Sequence, residues 1–161
     1  MKPIDVADEE LAIEVAAPLE AVWGLVSDVA RTPEWSPVVQ RIEWLGDATT
    51  VEAGAKFQGD NKFGGFRWTR ECVVTEVEPP RVFGFCTLGP DGQEQTRWRY
   101  GLEPGSSGGT RLTLGYQSVT LPRWIRVLQR IPGTAKTSAR RATENLQGSL
   151  DRIEAILCEN A

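Results

Sequence analysis

The stretch that decides the fold runs from residue 61 to residue 86 and reads NKFGGFRWTRECVVTEVEPPRVFGFC. Two turn signals, Gly64-Gly65 and Pro79-Pro80, divide it into three consecutive strands. Alternate residues of a strand point the same way, so Arg70 shares a face with Trp68. An arginine on a face that otherwise favours burial indicates a ligand cavity on that side of the sheet.

A two-residue turn at Gly64-Gly65 determines which residues of the first two strands lie opposite each other. It pairs Phe63 with Phe66, and Gly59 with Arg70. Because paired residues share a face, one face becomes mainly apolar and the other polar. The predicted inner face carries Phe57, Asn61, Trp68, Arg70, Cys72 and Val74, and the outer face carries Gln58, Asp60, Lys62, Arg67, Thr69 and Glu71.

The second turn, Pro79-Pro80, is interpreted as a two-residue loop that pairs Val74 with Phe85. This register keeps Phe83 and Phe85 on the same inner face as Trp68. A slip of one residue would send both phenylalanines to the polar face, so the first register is preferred.

The remaining patterns predict an α+β fold. Residues 9–15 alternate as a half-buried strand, Pro18 begins a helix, Thr32-Pro33 begins a short second helix, and another strand lies around residues 39–46. Two later strands place Trp98, Tyr100, Leu102, Leu112, Leu114 and Tyr116 on the inner face.

A long helix over roughly residues 134–158 is predicted to cover the apolar face of the sheet. Its stripe consists of Ala135, Ala139, Ala142, Leu146, Leu150, Ile153 and Leu157. The first half of the stripe is only alanine and the second half is bulky. Small residues opposite large aromatic ones either allow close packing or leave a space, and a curved sheet favours the space.

The composition restricts the function classes. The 161 residues suit one domain, and a net charge of -4 argues against a nucleic-acid partner. The chain has no histidine, which excludes a Ser-His-Asp site and leaves no support for a metal or cofactor. Three cysteines without a CxxC pair, a polar amino terminus and no apolar run of membrane-spanning length predict a cytoplasmic protein without stable membrane insertion.

Four segments carry a resemblance to a known family: VAAPLEAVWGLVSDVARTPEWSP, NKFGGFRWTRECVVTEVEPPRVFGF, TRWRYGLEP and GGTRLTL. The chain resembles the START-like superfamily, also called SRPBCC, and its polyketide cyclase/dehydrase-type members. The resemblance implies a helix-grip fold, in which a curved antiparallel sheet of about seven strands wraps around a long C-terminal helix, with two short helices after the first strand. It also implies that residues 1–161 form a single ligand-binding domain with a deep apolar cavity between the sheet and the final helix.

The resemblance is weaker for catalysis. Aromatase/cyclases of this superfamily carry a pocket tyrosine just after the Trp-Pro segment and an arginine late in the fourth strand. The nearest positions here are Gln40 and Val74, and both depart from that pattern. The oxygenase branch also fits poorly, because its iron site and Rieske cluster need histidine ligands.

Arg70 is the strongest candidate for ligand binding, because its guanidinium stays charged and its burial without a partner costs free energy. One hypothesis is that it anchors a carboxylate, phenolate or keto oxygen of a ligand. The alternative is that a bulge turns it outward or that an acidic residue at the rim pairs with it. The full predicted ligand-binding set is Phe57, Asn61, Trp68, Arg70, Cys72, Phe85, Trp98, Tyr100, Tyr116, Ala139 and Ala142.

Residues 121–133 form a basic amphipathic pattern beside the expected cavity entrance. Trp124, Ile125 and Leu128 on its apolar face are interpreted as a lid. The alternatives are an element that touches an anionic membrane and a packing or dimer surface. The sequence leaves a monomer and a homodimer equally open.

The sequence thus predicts a protein that binds a hydrophobic small molecule: a lipid, polyketide, isoprenoid or aromatic compound. The alternative is a cyclase/dehydrase acting on a poly-ketone, with Arg70 polarising a ketone and Tyr100 or Tyr116 passing a proton. A second alternative is a protein-interaction module that uses the cavity rim and residues 121–133.

Overall fold

A computed structural model describes residues 9–119 and 134–159, with side chains for residues 10–119 and 144–159. These residues form a seven-stranded antiparallel sheet, in the spatial order β1-β7-β6-β5-β4-β3-β2, and a long final helix. The predicted α+β helix-grip architecture is therefore confirmed. No helix in the described part of the chain is both long enough and apolar enough to cross a bilayer.

The elements follow one another in the order that the sequence patterns predict. They are β1 (Glu9–Val15), α1 (Leu19–Val26), a 3₁₀ segment (Val29–Glu34), β2 (Val39–Trp44), β3 (Lys56–Phe63), β4 (Phe66–Glu78), β5 (Val82–Leu88), β6 (Glu94–Pro104), a 3₁₀ turn (Ser106–Gly108), β7 (Thr110–Ser118) and α2 (Thr134–Glu159).

The predicted register of the β3–β4 hairpin is confirmed. Phe63 lies opposite Phe66, and Gly59 lies opposite Arg70. Gly64 has a φ of 60°, a conformation that side chains with a β-carbon rarely adopt. The turn thus depends on glycine, and it places the predicted inner residues on the face that α2 covers.

The interpretation of Pro79-Pro80 as a two-residue loop is wrong, although the register that it predicted is correct. Three residues, Pro79–Arg81, separate β4 from β5, and the Arg81 N–H donates to the Glu78 carbonyl at 2.7 Å. A bulge at Thr75 inserts one extra residue on β4, and this offsets the extra loop residue. Val74 therefore still pairs with Phe85.

The predicted start of the second helix is also wrong. The 3₁₀ segment begins at Val29, and Pro33 lies inside it rather than at its first turn. Thr32 does not cap the segment, because its hydroxyl donates to the Val29 carbonyl at 2.7 Å. The short segment folds back in this way beside α1 and ends at the buried Trp35.

The second half of α2 packs on the inner face of the sheet. Leu146, Leu150 and Ile153 are almost completely buried, and they belong to one core cluster with Leu112 and Leu114 of β7. Leu157 closes the end of the stripe. This bulky half of the predicted stripe therefore holds the helix against the sheet by burial of apolar surface.

Two of the three cysteines are buried in the sheet. Burial raises the pKa of Cys72 to about 12, and burial also raises the pKa of Cys86. Cys158 is exposed near the end of α2. Because the thiolate is the reactive form, the two strand cysteines are inert thiols at neutral pH.

Replacing Leu150 by alanine is expected to lower the free energy of unfolding by about 2–5 kcal/mol, because it leaves a cavity at a fully buried position. Urea unfolding followed by tryptophan fluorescence measures the change. Arg152→Ala, at an exposed position of the same helix, is the matched control, with an expected change below about 0.5 kcal/mol. Equal effects of the two substitutions would contradict the packing of α2 on the sheet.

A disulfide reagent that reports free thiolates is expected to titrate one thiol of the native protein at pH 8, and all three after unfolding. Cys158→Ser should remove the fast reaction, and fast labelling that persists in this variant would contradict the burial of Cys72 and Cys86.

The free energy of unfolding should also fall as pH rises from 9 towards 12, because Cys72 ionises in the unfolded chain before it does so in the native protein.

Candidate functional site

A small cavity of about 60 Å³ lies on the inner face of the sheet. It is bounded on the other side by α1 and by the 3₁₀ segment Val29–Glu34. Apart from one arginine, its lining is uncharged and mostly apolar. The lining residues are Val26, Val29, Thr32, Val39, Ile42, Phe57, Gly59, Asn61, Arg70, Cys72, Phe83, Phe85 and Tyr100. The volume refers to the described side chains.

The cavity brings together part of the predicted ligand-binding set. Its members there are Phe57, Asn61, Arg70, Cys72, Phe85 and Tyr100. Three predicted aromatic residues lie elsewhere: Trp68 sits against Phe66 at the end of the hairpin, and Trp98 fills the space between Phe85 and Tyr116 through ring contacts at 6.3 and 4.8 Å. Tertiary packing decides which predicted residues line the cavity and which lie outside it, and the alternation of a strand does not contain this information.

Several cavity residues were not among the predicted site residues. Val26 belongs to the predicted apolar stripe of α1, so its position on the inner side was visible in the sequence. Val29 and Thr32 reach the cavity because the 3₁₀ segment folds back on the sheet. Ile42 could have been found from its place opposite Gly59 in the β2–β3 ladder.

Some predicted site residues cannot be placed. Ala139 and Ala142 lie within α2, but their side chains are outside the described part of the structure. The predicted lid residues Trp124, Ile125 and Leu128 lie outside the described residues altogether. Their roles in ligand binding stay predictions.

Arg70 lies on the inner face and is partly buried. Among the described residues, its Nη1 donates one hydrogen bond, to the carbonyl of Thr69 at 3.4 Å. Within the described residues no ion pair joins Arg70 to a carboxylate, whereas the outer-face arginines Arg97, Arg99 and Arg111 each pair with a glutamate. The alternative of an acidic rim partner is thus not realised in this part of the chain. Gly59 lies opposite Arg70, and the space above it is bordered by Ile42, whose Cδ1 would lie 3.4 Å from a β-carbon placed at Gly59.

Tyr100 is a second hydrogen-bond donor of the cavity, whereas the lining residues Asn61 and Thr32 donate to backbone carbonyls. The indole N–H of the buried Trp35 donates to the Tyr100 hydroxyl oxygen at 3.4 Å. Burial raises the pKa of Tyr100, so the hydroxyl keeps its proton at neutral pH. Since its oxygen accepts from Trp35 and no described residue accepts its hydrogen, the hydroxyl can donate a hydrogen bond to a ligand.

The ring of Tyr100 is held by packing as well. It lies parallel to the ring of Phe83, with centroids 5.9 Å apart and an interplanar angle of 4°. Phe83 contacts Phe85, and Phe85 contacts Phe57, so the aromatic residues form a continuous wall. This wall gives an apolar ligand a rigid surface and holds the ring of Tyr100 in place.

The charge of the site comes from Arg70 alone. The described lining contains no carboxylate, and the chain has no histidine. Within the described residues, no three histidine, cysteine, aspartate or glutamate side chains stand close enough to hold a metal ion. The arrangement can therefore hold an apolar body and two ligand oxygens, one of them anionic.

A larger depression of about 450 Å³ lies beside the charged outer-face residues of β4, β6 and β7, and the predicted site residues Trp98 and Tyr116 also line it. It is open to solvent, and its charges are partly satisfied by each other, as in the contact of Arg99 Nε with Glu76 at 3.1 Å. A hydrophobic ligand would gain little there, because the surface stays in contact with water. The inner-face cavity is therefore the candidate site.

The comparisons with known proteins agree with the fold. A family model described as "Polyketide cyclase / dehydrase and lipid transport" matches residues 7–157. No curated protein matches the chain. The chain is similar to a solved Polyketide_cyc-like protein of Corynebacterium glutamicum, with 32% identity, 96% of this chain and 91% of that chain covered, and a TM-score of 0.61.

Two aromatase/cyclase structures share the fold at lower identity. The Zhui aromatase/cyclase of a Streptomyces species is 17% identical, over 94% of this chain and 93% of that chain, with a TM-score of 0.71. The di-domain ARO/CYC StfQ of the steffimycin pathway is 19% identical, over 95% of this chain and 51% of that chain, with a TM-score of 0.71. The match over residues 7–157 and the shared helix-grip fold show that this chain belongs to the polyketide cyclase / dehydrase and lipid transport family, within the START-like superfamily.

Proposed function

We propose that residues 1–161 form a single START-like domain that binds a hydrophobic small molecule with an oxygen-bearing polar end. The apolar body of the ligand lies along the aromatic wall, its anionic oxygen lies at Arg70, and a neutral carbonyl oxygen lies at Tyr100. A lipid, polyketide, isoprenoid or aromatic compound has this chemistry. The observation that carries the proposal is a half-buried arginine, Arg70, beside an apolar cavity, without an ion-pair partner among the described residues.

The energetics of Arg70 favour an anionic ligand. A charge held against an apolar lining loses part of its hydration, and this cost is large unless another group replaces the water. One weak bond to the Thr69 carbonyl uses a single donor of the five that a guanidinium carries. A carboxylate or phenolate would take two donors at once and restore the lost interactions.

Binding is better supported than cyclisation, because the described lining offers no general base. Cys72 and Tyr100 both have raised pKa values, so neither loses a proton near neutral pH. The positions nearest to the aromatase/cyclase tyrosine and arginine are an exposed Gln40 and a buried Val74, and neither supplies that chemistry. The family description covers lipid transport as well as cyclases, which accommodates a binding protein.

The described cavity sets a size requirement. A volume of about 60 Å³ holds only a small group, whereas ligand pockets usually enclose roughly 300–1,000 Å³. A ligand of that size can enter only if the side chains that line the cavity move apart. Affinity should therefore depend on the width of the group that reaches Arg70 and Tyr100.

We also propose that the protein works in the cytoplasm. Its cysteines are free, with two buried in the sheet and one exposed on α2. A reducing compartment keeps thiols in this state.

Replacing Arg70 by alanine is expected to weaken the binding of 1-anilinonaphthalene-8-sulfonate about tenfold to a hundredfold, because a hydrogen bond to a charged group is lost. This probe combines an aromatic body with an anionic group, and its fluorescence reports binding. Arg81→Ala, at an exposed position in the turn at the other end of β4, is the matched control and should bind as the wild type does. Unchanged affinity in Arg70→Ala would contradict the proposed anchor.

Native mass spectrometry with solvent extraction would identify any ligand that copurifies.

Replacing Tyr100 by phenylalanine is expected to remove selectivity for a carbonyl group while the ring packing stays. Wild-type protein should bind 9-fluorenone about two- to tenfold more tightly than fluorene, because the two probes differ by one hydrogen-bond acceptor. The variant should bind both probes equally, as measured by titration of tryptophan fluorescence. Tyr116→Phe, outside the cavity, is the control and should keep the preference. A preference that survives in Tyr100→Phe would show that another group donates the hydrogen bond.

A further inference from the structure

The tip of the β3–β4 hairpin exposes two phenylalanines. Phe63 is 49% exposed and Phe66 is 73% exposed, and they are the exposed large apolar side chains of the described residues. They lie directly opposite each other on either side of Gly64-Gly65. Turns are normally rich in small and polar residues, so two aromatic side chains in water at one turn need a physical reason.

The same tip is positively charged, and we call residues 62–67 the aromatic tip. Lys62 and Arg67 form the next cross-strand pair after the phenylalanines, and both are exposed. Within the described residues, neither makes an ion pair with a carboxylate. The aromatic tip thus has only positive charges, although the chain as a whole carries a net charge of -4.

The aromatic tip is continuous with the cavity side of the sheet. From Arg70 at the cavity, the inner face of β4 runs through Trp68 to Phe66, and the rings of Trp68 and Phe66 are 6.3 Å apart. Arg70 lies four positions along the strand from Phe66, a distance of about 13 Å. An apolar surface therefore leads from the candidate site to the exposed end of the hairpin.

We propose that the aromatic tip docks on the surface of an anionic lipid bilayer, with the two phenylalanines in the interfacial region and the two basic residues at the phosphates. Aromatic side chains favour the interface between lipid and water, and basic residues are attracted to anionic headgroups. A turn with two apolar side chains offers too little area for a stable protein interface, which needs about 800 Å² from each partner. The proposal stands on the exposed hairpin and does not require the ligand-binding function.

Sedimentation with vesicles tests the proposal on the full-length protein. Wild-type protein should bind equimolar phosphatidylcholine–phosphatidylserine vesicles more tightly than pure phosphatidylcholine vesicles, and the difference should shrink at high salt. The double variant Phe63→Ser/Phe66→Ser should lose more than about tenfold in affinity, since two apolar side chains no longer leave water. Phe66→Trp should keep the affinity, because tryptophan is also favoured at the interface.

The charge variants separate electrostatic attraction from apolar insertion. Lys62→Gln/Arg67→Gln should weaken binding to the anionic vesicles by about fivefold for each charge removed, with no effect on phosphatidylcholine vesicles. Arg81→Gln, at the opposite end of the sheet, removes the same charge and should leave this affinity unchanged beyond the small effect of net charge. Thermal unfolding of each variant should match the wild type, because all the substituted positions are exposed.

Three results would overturn the proposal. The wild type could fail to bind either kind of vesicle, or the serine variant could bind the anionic vesicles as well as the wild type does. Light scattering could also show a dimer that the serine variant converts to a monomer while vesicle binding is absent, which would assign the aromatic tip to a second copy of the chain.

Discussion

The tight turn at Gly64-Gly65 sets the register of β3 on β4, and the chemistry of the inner face depends on that register. Gly64 adopts a positive φ, which closes the turn in two residues and places Gly59 opposite Arg70. Because side chains alternate along a strand, one inserted residue here would turn Arg70 to the outer, solvent-facing side of the sheet and place charged residues on the inner face. The bulge at Thr75 does not change the inner face in this way, because the longer turn that follows it offsets the extra residue.

The inner face combines a large apolar wall with two polar groups whose hydrogen-bonding capacity is incompletely used within the described residues. Arg70 supplies a fixed positive charge, and Tyr100 supplies a neutral donor held in place by Trp35 and Phe83. This combination suits recognition rather than proton transfer, because a guanidinium is no general base and burial raises the pKa of Tyr100. The aromatic tip extends the same face into solvent, so the hairpin connects a buried site with an exposed surface.

Much of the fold was predictable because it depends on local patterns. Alternation in β3, β4 and β6, the glycine turn, and the apolar stripe of α2 each specify a face or an element without knowledge of the partner. The candidate site was only partly predictable. Arg70 and Tyr100 were found from alternation, whereas Trp98 and Tyr116 share that pattern and pack against each other outside the cavity. Alternation states which side a residue faces, but not whether it meets a neighbour or a space.

The sequence by itself determined the order of the elements, the register of the hairpin and the face to which Arg70 points, because these features follow from residues close together in the chain. The tertiary structure decided which inner-face residues line the cavity and how Tyr100 is oriented. The Trp35–Tyr100 hydrogen bond joins positions 65 residues apart, and Val29 reaches the cavity only because the 3₁₀ segment folds back on the sheet. Such contacts depend on the distance between packed elements, which side-chain packing in three dimensions sets and a one-dimensional pattern does not contain.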